Sequence, residues 1–218
     1  MVHPRQFTLA IDHPHRQTLD TFVPGSNVEL LQALRRLGGE FSGYWIFGDV
    51  GSGRSHLLRG CCLAARQDDV SINYVGCEDF AHHREGLAAA LSHAAQYGQL
   101  VAIDDIGAII GDASLEALLL AVYQRLLMER GHLVITHTAP AQAMQFATAD
   151  LASRMRSLQH FQILPLSDAD KMQLLRRRAE HRGYELSQPV LDYWLARGPR
   201  DLGALLIDLE TLDGASLA

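Results

Sequence analysis

Five short apolar runs, at residues 43–48, 70–76, 99–105, 131–137 and 160–165, recur along the chain, and each reads as a strand. Between them, near 55–66, 79–95, 112–129 and 149–156, the apolar positions fall at helical spacing. Strict alternation of the two patterns predicts an α/β fold with a five-stranded parallel sheet covered by helices on both faces. The pattern changes after Leu166. Ser167-Asp168-Ala169-Asp170 places a capping serine three residues before an acid, ahead of a helical run from Lys171 to Arg182 that Gly183 ends. A second helix follows Ser187-Gln188-Pro189, where proline suits the first turn. A third starts near Pro199 and runs through Leu202, Leu205, Leu206 and Leu209. Residues 1–19 are rich in His and Pro, carry no sustained periodicity and read as an extended arm. The expected division is an arm at 1–19, a nucleotide-binding domain at 20–166 and a small helical lid at 167–218.

The segment between the first strand and the first helix carries the most specific chemistry. Gly48-Asp49-Val50-Gly51-Ser52-Gly53-Arg54-Ser55 has the spacing of a phosphate-binding loop, with arginine where lysine normally stands. In that context backbone N–H groups wrap a phosphate and the helix N-terminus completes the anion site. Gly48, Gly51, Ser52, Gly53, Arg54, Ser55 and His56 are therefore expected to hold a nucleotide, ADP or ATP. Lysine is a compact ammonium that bridges β- and γ-phosphates. Arginine is longer and planar, and grips a diphosphate while crowding the γ position. Tight ADP, weaker ATP and little intrinsic turnover are the expectation.

Leu100-Val101-Ala102-Ile103-Asp104-Asp105 is an apolar strand ending in two carboxylates. After a phosphate loop in an α/β alternation, Asp104 is expected to hold Mg²⁺ beside the Ser55 hydroxyl and Asp105 to orient an attacking water. The plain alternative is a solvated pair of strand-end acids. His137 or Thr138, at the end of the next strand, is placed to sense a γ-phosphate, although a histidine bonded to the backbone fits as well. Arg154 and Arg156 follow on a short helix. An arginine there either decorates the surface or reaches a neighbouring subunit's nucleotide as an arginine finger. Arg200 could fold from the lid onto the phosphates, whereas Arg176-Arg177-Arg178 reads as a solvated helix face. In the arm, Gln6-Phe7-Thr8-Leu9-Ala10-Ile11 has the pattern of an extended docking peptide, with Leu9 and Ile11 for an apolar pocket. A simple tail is the other reading.

Composition narrows the classes. The chain has 218 residues, 48% hydrophobic and 20% charged, which is ordinary for a soluble globular protein. Its net charge of −6 argues against broad non-specific coverage of nucleic acid. No run is long enough to span a bilayer. Cys61, Cys62 and Cys77 lack metal or redox spacing and read as buried reduced thiols. A cytoplasmic location is expected.

Together these segments resemble the AAA+ domain of the bacterial initiator DnaA, and more closely the regulatory members of that family, the Hda proteins. The resemblance covers nearly the whole chain and implies an AAA+ three-layer αβα domain followed by a helical lid. Thr21-Phe22-Val23-Pro24-Gly25-Ser26-Asn27 resembles the segment that lies against adenine, which adds Phe22 and Val23 to the expected nucleotide contacts. Asp150-Leu151-Ala152-Ser153-Arg154 is similar to the segment holding the arginine finger, so the resemblance assigns that role, in trans, to Arg154. Arg200 stands where the lid's nucleotide-sensing arginine is expected. The family's N-terminal peptide begins with glutamine and binds the DNA-loaded sliding clamp; Gln6, Phe7, Leu9 and Ile11 are its counterparts here, in a variant form. Asp104-Asp105 is closer to the acid pair of DnaA than to the Asp-Asn expected of Hda proteins. The chain stops at Ala218, where such relatives continue briefly through a basic and apolar segment, so either the lid is shortened or the sequence is cut short there, and no DNA-reading domain is expected in it.

What the resemblance implies is a regulator of replication initiation, bound to nucleotide, with ADP favoured, and Mg²⁺. It would act on DnaA and the polymerase III sliding clamp, reach DNA mainly through the clamp, and sit with the replication machinery on the bacterial nucleoid. Homo-oligomerisation is left open. Two other readings stand beside it: an autonomous ATPase of the helicase-loader or initiator kind, and a nucleotide-stabilised adaptor for DnaA or the clamp.

Overall fold

Strand order in the sheet follows how deeply each apolar run is buried. The computed structural model describes residues 17–181, 183–198 and 202–216. Its strands are β1 (Ser42–Phe47), β2 (Ile72–Gly76), β3 (Leu100–Asp104), β4 (His132–His137) and β5 (Gln159–Gln162). They form one parallel sheet in the order β2-β3-β4-β1-β5. β3 is buried at every position and β4 at all but its last, whereas the edge strand β5 buries only Phe161. A parallel strand covered on both faces has no solvent side, so its sequence is an unbroken apolar run. β5 ends at Gln162, short of the residue 165 expected from sequence. Pro165 has no N–H to continue a ladder, and the Leu164 N–H is diverted to Asn27 Oδ1 at 2.7 Å.

Five helices cover the sheet: α1 (Val28–Arg35), α2 (Arg54–Gln67), α3 (Arg84–Ala94), α4 (Ala113–Glu129) and α5 (Ala149–Ser157). Four of these match the helical periodicity. Residues 77–80, just ahead of α3, instead form a 3₁₀ turn. α1 is absent from the sequence reading. It has only 8 residues and its leading Asn27 makes no side-chain cap, so both local signals are weak, yet Leu30, Leu31 and Leu34 are buried.

The twofold alternation along the strands divides the core. Val101, Ile103, Leu133 and Ile135 face α3, α4 and α5 through Leu91, Leu119, Val122 and Met155. Leu100, Ala102 and Val134 face α1 and α2 through Leu31, Leu34, Leu57 and Leu58. This is the expected three-layer arrangement. Cys61, Cys62 and Cys77 are buried and free, and burial pushes the Cys61 and Cys77 thiols up to about 12, so they pack as small apolar groups. Trp45 is wholly buried and donates its indole N–H to the Ala139 carbonyl at 3.0 Å. The stretch read as an arm meets the core at its end. Leu19 is buried against α2, and Gln17 accepts a bond from Arg59 at 3.1 Å; residues 1–16 lie outside the described residues.

The lid is α6 (Asp168–His181), α7 (Gln188–Arg197) and α8 (Leu202–Ser216), packed on its own core of Leu175, Leu191, Leu205 and Leu209. Its first helix opens on the capping box read from sequence: Asp170 N–H donates to Ser167 Oγ and Ser167 N–H to Asp170 Oδ2, each at 3.2 Å. Gly183, at φ 86, closes it with its N–H on the Glu180 carbonyl, and Tyr184 N–H reaches Ala179.

Asn27 joins the start of α1 to the passage into the lid. Its amide donates to the carbonyls of Pro24 and Leu164, each at 3.0 Å, while its oxygen accepts from Leu164 N–H. Asn27→Ala removes all three bonds and strands the Leu164 carbonyl and N–H, whereas the Pro24 carbonyl keeps the backbone N–H of residue 27 at 2.7 Å. Urea unfolding is expected to show a loss of about 1–3 kcal/mol; a change within experimental error would mean that water replaces the side chain.

Candidate functional site

The carboxyl ends of β1, β3 and β4 lie side by side, and the loops that leave them form one cleft. In an open parallel sheet this edge is where ligands bind. The loop after β1 turns through Gly51 and Gly53, with φ 81 and 97, a region that favours glycine. Gly48 is needed for a different reason. A Cβ there would lie 2.9 Å from Ser52 Oγ and 3.1 Å from Ile163 Cβ. α2 then begins at Arg54 without any side-chain cap, so its first N–H groups are free to take an anion.

Phe22 packs over this turn: a Cβ on Gly53 would come 3.0 Å from its ring, and the ring meets that of His56 edge-on at 5.6 Å. His56 turns its Nε2 to the Thr18 carbonyl at 2.9 Å, and burial pulls its pKa below the ordinary range. Val23, next in the chain after Phe22, is buried. Thr21 and Phe22 thus lie against the start of α2, whereas Gly25 and Asn27 face the passage into the lid.

Two hydrogen-bonded sets hold the acids. Asp104 Oδ1 accepts from the Thr136 hydroxyl at 2.7 Å and Oδ2 from the Tyr74 hydroxyl at 2.6 Å. Arg59 in turn donates to the Tyr74 oxygen at 3.2 Å. Burial, followed by the neighbouring Asp104 charge, pushes the Tyr74 phenol well above its usual value, so it stays a donor. Asp105 stands in the left-handed region at φ 53, a strained position for a non-glycine residue. Its N–H donates to Thr136 Oγ1 at 2.9 Å, its Oδ1 meets His137 Nδ1 at 3.1 Å, and its Oδ2 meets the Arg54 guanidinium at 3.5 Å.

Arg54, Ser55, Arg59, Tyr74, Asp104 and Asp105 line one cleft. The sequence-derived residues of the loop and the acid pair therefore come together, and His137 joins them through Asp105. Thr138 is exposed. Thr136, Tyr74 and Arg59 were missed. A hydroxyl inside an otherwise apolar strand was the available signal for Thr136. Nothing local points to Tyr74, which acts from β2, 30 residues from Asp104, and Arg59, one turn past Ser55 on α2, reaches the acids only through Tyr74.

The loop suits a phosphate chain. Ser52 Oγ is buried without a partner among the described residues, glycine conformations fold the backbone around it, and a 14-residue helix points its uncapped end there. Ser55 and Asp104 line the same cleft, as a pair of protein ligands completed by phosphate oxygens and water would require for Mg²⁺. Among the described residues no group of three or more His, Cys, Asp or Glu side chains could hold a metal ion alone.

Arg154 stands apart from this cleft. It lies on α5 with its side chain 49% exposed, 3.5 Å from Asp150 and with its guanidinium 5.9 Å from the centre of the Tyr123 ring. Gln6, Phe7, Leu9, Ile11 and Arg200 lie outside the described residues. No helix among the described residues is long and apolar enough to cross a membrane.

Comparison with known proteins agrees with this architecture. The bacterial DnaA ATPase-domain family matches residues 14–159, more than half of the chain, and the Hda lid-domain family matches residues 168–218. Domain III of the replication initiation protein DnaA from Thermotoga maritima is similar at a TM-score of 0.75 and 22% identity, over 92% of this chain and 90% of that one. AMPPCP-bound DnaA from Aquifex aeolicus gives a TM-score of 0.72 and 20% identity, over 91% of this chain and 66% of that one. A replication initiator DnaA bound to AMPPCP and single-stranded DNA gives 0.72 and 20%, over 91% and 64%. The chain thus spans a little under two thirds of the length of those two DnaA chains. At these identities the likeness is one of fold. The two family matches go further: this chain belongs to the DnaA-related AAA+ family, as a DnaA-type ATPase domain joined to an Hda-type lid.

Proposed function

We propose that this chain is a regulatory AAA+ protein that stimulates ATP hydrolysis by the initiator DnaA and so prevents re-initiation of replication. The observation that carries the reading is the union of a DnaA-type ATPase domain with an Hda-type lid in one chain. The nucleotide, ADP in preference to ATP, is held by Gly48, Gly51, Ser52, Gly53, Arg54, Ser55 and His56, with Phe22 and Val23 on the base side and Arg200 from the lid. Ser55 and Asp104 hold Mg²⁺. Bound there, the nucleotide neutralises the loop's free N–H groups and fixes core and lid in one arrangement. Gln6, Phe7, Leu9 and Ile11 tether the chain to a sliding clamp on DNA, which raises the local concentration without further contacts. Arg154 is then offered to the ATP of DnaA, where a planar guanidinium stabilises charge building on the transferred phosphoryl group. These partners imply a cytoplasmic, nucleoid-associated protein and an arm, core and lid divided near residues 19 and 166.

Both oxygens of Asp105 are already engaged, by Arg54 and His137, which favours slow turnover in the chain's own cleft. Titrating the protein into ATP-bound DnaA with clamp-loaded DNA and following conversion to the ADP form tests the whole reading. If conversion does not accelerate, DnaA is not the target. Brisk steady-state hydrolysis by the isolated protein would favour the autonomous ATPase, with Asp105 orienting the water. The tether has its own test. Gln6→Ala is expected to weaken retention on immobilised clamp about tenfold, whereas unchanged retention would make the arm a tail.

A further inference from the structure

Glu116, on α4, has no exposed surface, and each of its carboxylate oxygens accepts two bonds. Oε1 takes the N–H groups of Gly111 and Ala147, both at 2.8 Å. Oε2 takes the Thr148 N–H at 2.8 Å and the Thr148 hydroxyl at 2.9 Å. A buried charge is tolerated only when its lone pairs are filled, and here they are. Burial alone would raise this carboxyl; the four donors outweigh it and hold the pKa below the ordinary glutamate range.

The donors come from two segments with different duties. Gly111 ends the short stretch that begins at Asp105 in the cleft and passes through the 3₁₀ turn Ile106–Ala108. Ala147 and Thr148 lead into α5, which carries Arg154. α5 has 9 residues, too few to hold its shape or direction unaided. Thr148 occupies its N-cap position but makes no capping bond to the helix, because its hydroxyl is turned to Glu116. The Glu116 charge therefore stands near the positive end of the α5 dipole and fixes the N–H groups of the two residues that lead into the helix.

We infer that Glu116 is a positioning residue that clamps the segment after Asp105 to the start of α5 and thereby sets where Arg154 stands. The inference rests on the proposed finger role of Arg154 for its functional half; the clamp itself stands on the geometry alone. It links the chain's own nucleotide cleft to the residue offered to a partner, through one side chain that touches neither.

Glu116→Gln tests it. Turned toward Gly111 and Ala147, the amide NH₂ faces two N–H donors and loses two bonds; turned toward Thr148, it loses the N–H bond while the hydroxyl accepts instead, so one or two bonds are lost at almost constant volume. Hydrogen exchange on the full chain is expected to quicken about tenfold at Gly111, Ala147, Thr148 and the first turn of α5, with α2 and the lid unchanged. ADP binding stays within about twofold of wild type while stimulation of DnaA falls about tenfold or more. Thr148→Val, which keeps the N–H bond and removes only the hydroxyl, gives a smaller change at the same positions and serves if the glutamine variant does not fold. Unchanged exchange at α5, or a uniform rise over the whole domain, overturns the clamp. Full stimulation by Glu116→Gln where Arg154→Ala has none overturns its positioning role. If Arg154→Ala itself stimulates normally, the finger reading has failed, and the exchange data alone decide the clamp.

Discussion

Arg154→Ala is expected to abolish stimulation of DnaA hydrolysis, a loss on the order of 10³–10⁵ in rate, while nucleotide and clamp binding persist. The split follows from where the side chain stands. It is half exposed, and its ion pair with Asp150 spans 3.5 Å in solvent and contributes no more than about 1 kcal/mol. Its approach to the Tyr123 ring adds a comparable, exposed cation–π contact. Removing the guanidinium should therefore leave thermal stability close to wild type, so lost stimulation cannot be attributed to unfolding. Arg154→Lys is expected to recover little, because an ammonium keeps the charge and loses the planar fork. The measurement is single-turnover conversion of ATP-bound DnaA in the presence of clamp-loaded DNA. Wild-type stimulation by the alanine variant would remove Arg154 from the mechanism.

The second large effect is expected at Arg54. Its side chain is 11% exposed and its guanidinium is the cation next to Asp105, with Asp104 adjacent. Arg54→Ala removes the cation paired with Asp105 and leaves Arg59, the loop N–H groups and the helix end to oppose two carboxylates in the cleft. Truncating one partner of a largely buried charge pair costs about 2–5 kcal/mol, so ADP affinity should fall on the order of 10²-fold or more. Arg54→Lys keeps the charge, shortens the reach and should release Asp105. ATP binding and intrinsic turnover are then expected to rise relative to wild type. Fluorescent-nucleotide titration and a steady-state ATPase assay read both arms. ADP binding by the alanine variant within twofold of wild type would show that this loop does not grip the diphosphate through Arg54.

Much of the fold was legible because its signals are local. Apolar runs of strand length, helical spacing between them and the Ser167–Asp170 cap each express the conformation of a few consecutive residues. The turn at Gly48–Ser55 was equally legible, since glycines at fixed spacing supply its backbone angles. α1 was not, because it is short and Asn27 directs its side chain to the Leu164 backbone instead of the helix. Thr136 was overlooked for a related reason: its hydroxyl serves Asp104, 32 residues away, and a threonine inside an apolar strand otherwise reads as a β-former.

Read alone, the sequence was sufficient for the class of fold, the alternation of elements, the glycine turn after β1 and the two acids at the end of β3, because each follows from short-range spacing. The tertiary structure alone decided the strand order that sets β1 beside β4, the pairing of Arg54 with Asp105, the hold of Tyr74 and Thr136 on Asp104, and the burial of Glu116 under α5. These are contacts between residues from different elements. They exist only once packing of the apolar faces has brought those elements together, and a buried charge reveals its purpose only when its donors are known.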